Sequence, residues 1–83
     1  MLVRFYSTLR EKKGKSVEIN IEYINIKSLI DLLEISNYIL DNNNLLAGTM
    51  ILVNGKNISH LNGLDTIVQN SDSIDFFPPA AGG

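Results

Sequence analysis

The chain has 83 residues, of which 45% are hydrophobic, and seven basic against nine acidic residues give a net charge of −2. So short a chain forms one domain with one modest core, because folding buries only roughly 60–65% of the surface that the unfolded chain exposes. The absence of cysteine excludes a disulfide framework, a thiolate metal site and a cysteine nucleophile, and the missing positive excess argues against a nucleic-acid reader.

The hydropathy of the sequence indicates where in the cell the protein is located. No apolar run approaches the ~20 residues of a membrane span, and the first residues are too interrupted for a signal peptide. We therefore expect no membrane partner and a cytoplasmic location.

Two strands are predicted at the start of the chain. Residues 2–7 alternate, with Val3 and Phe5 on one side, and residues 17–23 alternate between apolar and polar side chains over the clearest strand pattern of the chain. The polar stretch 10–15, which contains a glycine and three lysines, predicts a solvated turn. An antiparallel hairpin follows from this arrangement.

The period then changes to that of a helix. Asn25 is expected to cap it, and three leucines at helical spacing are expected to face the core. These leucines are Leu29, Leu32 and Leu33. The helix is predicted to end near residues 36–37, with residues 38–40 either extending it or starting a second short turn, before the polar run 41–44.

The second half begins with an apolar strand. Residues 50–53 are continuously apolar, as in a central strand, and Asn54-Gly55 is a strong tight-turn signal. Residues 58–61 are predicted to form a short return segment, residues 64–68 a brief helical or irregular connection, and residues 70–72 a turn.

A last strand is predicted over residues 73–77. Its alternation places Ile74 and Phe76 inward and Asp75 and Phe77 outward.

The last six residues are expected to form a flexible tail that leaves the domain of residues 1–77. Pro78 and Pro79 cannot continue a sheet ladder, and residues 80–83 have side chains no larger than a methyl group. A tail of six residues reaches at most roughly 20 Å and could enter a channel only as wide as a backbone. A disordered terminus or a cloning remnant is less favoured, because remnants seldom follow a hydrophobic strand that ends in two prolines.

The tail sequence Phe76-Phe77-Pro78-Pro79-Ala80-Ala81-Gly82-Gly83 resembles the small subunit of molybdopterin synthase and, more broadly, the sulfur-carrier branch of the ubiquitin-like β-grasp superfamily. Leu9-Arg10-Glu11 after the first strand and Val53-Asn54-Gly55 extend the resemblance over most of the chain. Ser71-Asp72 departs from it, since carriers usually have Gly-Asp there. A positive φ at Ser71 would strain that turn.

The resemblance implies a β-grasp fold of the α+β class. Its mixed sheet has four to five strands, one main helix packs across the sheet, and the first and last strands lie side by side at the centre.

The resemblance also implies a chemistry for the Gly82-Gly83 end. A ubiquitin-activating-type adenylating enzyme would join the Gly83 carboxylate to AMP using ATP, and a sulfur donor would then convert it to a thiocarboxylate. The large catalytic subunit of molybdopterin synthase would take the sulfur. This chain would have no catalytic site, cofactor or metal of its own.

The residues before the glycines are expected to contact the partners. Phe77 is either an exposed docking anchor or extra core folded over the sheet edge, and both alternatives stay open. The prolines would act as a stiff spacer. The predicted contact residues are Phe77, Pro78, Pro79, Ala80 and Ala81.

Other candidate groups are weaker. His60 stands alone without metal-ligand spacing, Asp72 fits a turn cap, and the isolated glycines form no phosphate loop. Alternative functions are a sulfur carrier for thiamine or tRNA thiolation, a protein modifier conjugated through Gly83, and a plain β-grasp interaction module.

Overall fold

Five strands form the central sheet of the computed structural model, which describes residues 1–80. Four further strands of the described residues form two small two-stranded sheets. In chain order the strands are β1 (Leu2–Phe5), β2 (Ser16–Glu18), β3 (Tyr23–Asn25), β4 (Leu40–Asp41), β5 (Asn44–Leu45), β6 (Met50–Val53), β7 (Lys56–Asn57), β8 (Ile67–Gln69) and β9 (Ser73–Phe77). The helices are α1 (Ser7–Lys13), α2 (Ile26–Leu33), α3 (Ser36–Ile39) and two 3-10 turns at Ile58–His60 and Gly63–Asp65.

The central sheet is mixed, with the strand order β2-β1-β9-β6-β7. The first and last strands pair in parallel at its centre, with Val3 opposite Ile74 and Phe5 opposite Phe76. β2 and β6 flank this pair in antiparallel orientation, and β7 pairs with β6. The prediction of a β-grasp fold is confirmed.

The core lies between one face of this sheet, hereafter the inner face, and helix α2. Alternate residues of β1, β6 and β9 are buried there together with the apolar side of α2. They are Val3, Phe5, Ile51, Val53, Ile74, Phe76, Ile26, Leu29 and Ile30. Burying each large apolar side chain contributes about 1.5–3 kcal/mol, so this face is the main source of stability.

The polar stretch after β1 is a helix, and the prediction of a turn over residues 10–15 is wrong. Leu9 on α1 is fully buried in the core, and the following Arg and Lys side chains are good helix formers. The helix ends at Gly14, where φ is 88° and the N–H donates to the carbonyl of Arg10. A single buried apolar residue gives too weak a period to be read from the sequence.

The predicted second strand over residues 17–23 is two short strands. β2 pairs with β1, whereas β3 pairs with β8 in a separate two-stranded sheet. Tyr23 is 66% exposed, so the alternation does not mark one continuous core-facing surface. Alternation cannot distinguish one strand from two that pair with different partners.

Helix α2 begins as predicted. The Asn25 side-chain oxygen accepts a hydrogen bond from the Ser28 N–H at 2.7 Å. The predicted end near residues 36–37 is wrong, because the helix stops at Leu33, where Glu34 adopts a left-handed conformation with φ 58°. A second short turn follows as α3, but it begins at Ser36, before the residues 38–40 predicted for it. The predicted core position of Leu32 is wrong, since this side chain is 51% exposed.

Two predicted turns are confirmed. Asn54 and Gly55 have φ values of 51° and 83°, as a tight hairpin turn between β6 and β7 requires. Ser71 does not adopt a positive φ, so the departure from Gly-Asp does not strain the turn. Asp72 caps its turn, because its carboxylate accepts the Gln69 N–H at 2.7 Å.

The connections between these elements differ from prediction in detail. The polar run 41–44 is the turn of the small β4–β5 hairpin, and the predicted irregular connection 64–68 includes the start of β8. No helix among residues 1–80 is both long and apolar enough to span a membrane.

Candidate functional site

The tail begins at the end of β9, next to the carboxyl end of β1. Pro78 is buried, Pro79 is half-buried and Ala80 is exposed. Gly48 lies beside the second proline, since a Cβ placed on Gly48 would be 3.6 Å from the Cα of Pro79. The first two residues of the predicted tail therefore still pack on the domain. Ala81, Gly82 and Gly83 lie outside the described residues.

Phe77 is half-buried, and its ring stacks on that of Tyr6, the residue that follows β1. The ring centroids of Phe77 and Tyr6 are 4.2 Å apart, with an angle of 10° between the planes. The guanidinium carbon of Arg10 lies 4.9 Å from the Tyr6 ring centroid, and Arg10 Nε donates to the Phe5 carbonyl at 2.8 Å. Phe77 thus lies outside the core, as its alternation predicts, and is partly covered. Its docking role stays a prediction.

The carboxylate of Asp75 contacts this aromatic pair through a hydrogen bond from Tyr6. Asp75 points away from the core as predicted, yet it is only 7% exposed. Its carboxylate accepts hydrogen bonds from Arg4 Nε at 2.6 Å, from Arg4 Nη2 at 3.2 Å and from the Tyr6 hydroxyl at 3.1 Å. These four residues, Arg4, Asp75, Tyr6 and Phe77, are hereafter the tail-root cluster.

The hydrogen bond that Arg4 donates to Asp75 is the main cause of a raised pKa of the Arg4 guanidinium, and the negative charge of Asp75 adds to it. A raised pKa means that the contribution of this group is present at lower pH and is lost only as pH rises into the strongly alkaline range. Arg4 therefore stays protonated at neutral pH, and the ion pair does not respond to pH through this group.

Sequence reasoning missed this cluster. Arg4 and Asp75 are 71 positions apart and meet because they are direct partners in the parallel pairing of β1 with β9. The signal was available only after that pairing and its register were fixed.

Apolar side chains adjoin the tail-root cluster on the outer face, the side of the sheet opposite the core. Met50 is the partner of Phe77 across β6 and β9, and Leu52 is the partner of Asp75. Met50 is 38% exposed and Leu52 half-buried. The cluster therefore belongs to a partly apolar surface around the base of the tail, which is a feature of protein contact sites.

The remaining candidate groups do not assemble into a site. Within residues 1–80, no group of three or more His, Cys, Asp or Glu side chains is placed to hold a metal ion. His60 is exposed on the first 3-10 turn. A shallow depression lies at the opposite end of β9 from Phe77, lined by Met1, Glu18, Ile19, Asn20 and Asn70.

Comparisons with known proteins identify the family. The ThiS family model matches residues 3–83. Small archaeal modifier protein 3 of Haloferax volcanii is 27% identical over an alignment of 88 residues, gaps included, that covers 98% of this chain and 96% of that protein.

Solved structures agree with that assignment. Small archaeal modifier protein 1 (SAMP1) of Methanosarcina acetivorans is 32% identical, with a TM-score of 0.72 over 99% of this chain and 94% of that one. One chain of the BexX/CysO complex of Amycolatopsis orientalis is 26% identical, with a TM-score of 0.81 over 99% and 98% of the two chains. This chain belongs to the ThiS family and is a ubiquitin-like sulfur carrier of β-grasp fold.

Proposed function

We propose that the chain carries sulfur as a thiocarboxylate on Gly83 and donates it in the synthesis of molybdopterin. The observation that carries the proposal is the family match over residues 3–83, which includes the Gly82-Gly83 end. A carboxylate at the end of an arm without bulky side chains can be delivered into a partner's active site, and the partner then supplies the catalytic groups.

The chemistry begins with activation of a poor acyl donor. A partner enzyme joins the Gly83 carboxylate oxygen to the α-phosphorus of ATP, and pyrophosphate leaves. Hydrosulfide then attacks the carbonyl carbon, the carbon–oxygen bond to AMP breaks so that AMP leaves with its electron pair, and loss of the S–H proton gives the thiocarboxylate. The adenylating enzyme supplies the ATP site, and the catalytic residues belong to the partners.

The domain supports this chemistry by presenting the arm. The packing of Pro78 and Pro79 on the domain leaves residues 80–83 to span the distance to the reacting centre. Four extended residues reach at most roughly 13–14 Å, compared with roughly 20 Å for six. We infer that the partners must therefore approach the tail-root cluster closely, with Phe77 among the residues that they contact.

The molybdopterin pathway is favoured by the Phe77-Pro78-Pro79 lead-in to the tail. In this reading the large catalytic subunit of molybdopterin synthase takes up the arm and transfers sulfur to the pterin precursor. A carrier for thiamine or tRNA thiolation would use the same activation with a different acceptor.

A second candidate function is that of a protein modifier. The observation that favours it is the similarity to small archaeal modifier proteins 1 and 3. In that role the activated carbonyl carbon of Gly83 would form an isopeptide bond to the Nζ of a lysine on another protein, with loss of the activating group.

Reconstitution of the activation step tests the proposal. The chain is incubated with its adenylating enzyme, ATP and a sulfur donor, and its intact mass is measured. We expect a gain equal to one oxygen-to-sulfur exchange, localised to Gly83 by fragmentation. A variant lacking Gly82 and Gly83 is the matched control, and it should stay unmodified with an unchanged circular-dichroism spectrum.

The proposal would be contradicted if the mass of the chain stayed unchanged while the same preparation of its adenylating enzyme was shown to be active on another carrier. Pathway and class are separated by two further measurements. Addition of the large subunit and pterin precursor should consume the thiocarboxylate, and immunoblots of the native cells for high-mass conjugates report the modifier role.

A further inference from the structure

The Asp75 carboxylate is unusual for its place on the sheet. Its side chain is on the outer face of the sheet, where polar side chains are usually exposed to solvent. Asp75 is nevertheless almost completely buried. A buried carboxylate is tolerated only when hydrogen bonds and charge compensate for lost water. Here Arg4 and Tyr6 supply three donors. The ion pair is only partly buried, since 43% of the Arg4 side chain is exposed against 9% of that of Asp75, and a pair of this kind contributes little net stability.

The carboxylate restrains one specific ring. Tyr6 is held by its backbone N–H, which donates to the Phe76 carbonyl at 3.2 Å, and by its hydroxyl, which donates to Asp75. The ring between these two points stacks on Phe77. Without the hydroxyl contact, the Tyr6 ring would keep only its stacking on Phe77 and its contact with the Arg10 guanidinium, and would be less restrained.

Phe77 is the residue from which the tail leaves the sheet. It is the last residue of β9, and the two prolines that follow have fixed φ values. Since proline fixes φ, only the ψ angles of Pro78 and Pro79 are free to absorb a shift of the Phe77 backbone before it reaches Ala80. Pro79 beside Gly48 is the second point that confines this path.

We propose that Asp75 is a positioning residue of the tail, which holds the Tyr6 ring against Phe77 and thereby fixes the direction in which the chain leaves the domain at Ala80. This inference rests on the proposed function, since the fixed direction favours capture of the arm by the adenylating enzyme. An arm held in its competent direction lowers the ordering cost of binding and leaves the chemistry at Gly83 untouched.

The test uses Tyr6→Phe, which removes only the hydroxyl and keeps the stacking ring. Tyr23→Phe is the matched control, because Tyr23 is 66% exposed on β3 in the separate small sheet. Asp75→Asn is the second variant. It keeps the size of the side chain but removes its charge.

The first measurement needs no partner. NMR spectra of the full chain report the ring resonances of Phe77 and the heteronuclear NOE of the Ala80 amide. We expect both to change in Tyr6→Phe and Asp75→Asn, towards a less restrained ring and a more mobile amide, while Tyr23→Phe matches the wild type. Identical Phe77 and Ala80 signals in all four folded proteins would overturn the inference.

The second measurement is the kinetics of adenylation. We expect the KM for the carrier to rise by roughly 3- to 10-fold in Tyr6→Phe, the loss that follows from one hydrogen bond, with kcat unchanged. Combining Tyr6→Phe with Asp75→Asn should add little to the larger single effect, because both variants act on the same contact, which Asp75→Asn weakens from a charge-assisted to a neutral hydrogen bond. Fully additive effects, or a fall in kcat alone, would contradict a positioning role.

Failure of the proposed function is distinguishable. If the wild-type chain is not adenylated but the NMR changes occur as expected, the positioning contact stands and the sulfur-carrier chemistry fails. If adenylation occurs and the NMR signals do not respond, the positioning inference fails alone.

Discussion

The two faces of the central sheet are built from the same strands and differ in the side-chain interactions that they make. On the inner face, Phe5 and Phe76 are neighbours in adjacent parallel strands and are buried with the rest of the core. On the outer face, Arg4 and Asp75 occupy the adjacent positions and form an ion pair that supports Tyr6 at the root of the tail. The comparison indicates that apolar burial stabilises the fold, whereas the polar and aromatic contacts of the outer face orient the residues proposed to meet partners.

The largest expected effect is on the inner face. Phe76→Ala should lower the free energy of unfolding by about 3–5 kcal/mol, because a fully buried aromatic ring leaves a cavity. Denaturant titration followed by circular dichroism measures this. A loss below about 1 kcal/mol would show that Phe76 is not part of a closely packed core.

The neighbouring residue provides the matched comparison on the outer face. Phe77→Ala should cost only about 1 kcal/mol in stability, since it removes one aromatic stack and partial burial. Affinity for the adenylating enzyme should fall by roughly 30-fold or more if Phe77 is a docking anchor. Binding titrations with the folded variant separate the two effects, and an unchanged affinity would mean that Phe77 only covers the sheet.

A smaller effect is expected where the helix that covers the inner face begins. Asn25→Ala should destabilise the protein by about 1 kcal/mol, because the Ser28 N–H loses its capping acceptor. Asn37→Ala on α3 is the control, as Asn37 is exposed and makes no such cap. Equal midpoints for the two variants in the same denaturant titration would argue against the cap.

The smallest effect is expected on the solvent side of α2. Leu32→Lys should change stability by no more than about 0.5 kcal/mol, because the side chain is 51% exposed. Leu29→Ala on the buried side of the same helix should cost about 2–5 kcal/mol. Similar costs for both changes would show that the helix is rotated relative to the structure.

The parts of the fold that could be predicted are those with strong local signals. The Asn25 cap, the Asn54-Gly55 turn and the last strand all follow from residues adjacent in the sequence. Helix α1 could not be predicted, since Leu9 is its only buried residue. The same limit applies to the division of residues 17–23 between two sheets, which depends on distant pairing partners.

The candidate site divides in the same way. The tail could be recognised because Phe77-Pro78-Pro79 and the glycines are consecutive in the sequence. The contact of Tyr6 with Asp75 could not, because it requires both the parallel pairing of β1 with β9 and its register. A charged residue on an outward position reads as solvent-exposed unless its cross-strand neighbour is known.

The most direct test of the account is the intact mass of the protein isolated from its own cells. Under conditions in which its adenylating enzyme is expressed, we expect a fraction of the molecules to carry sulfur in place of one oxygen of the Gly83 carboxyl group. Recovery of the carboxylate form alone, from cells whose adenylating enzyme is shown to be active, would contradict the claim that this end of the chain carries sulfur.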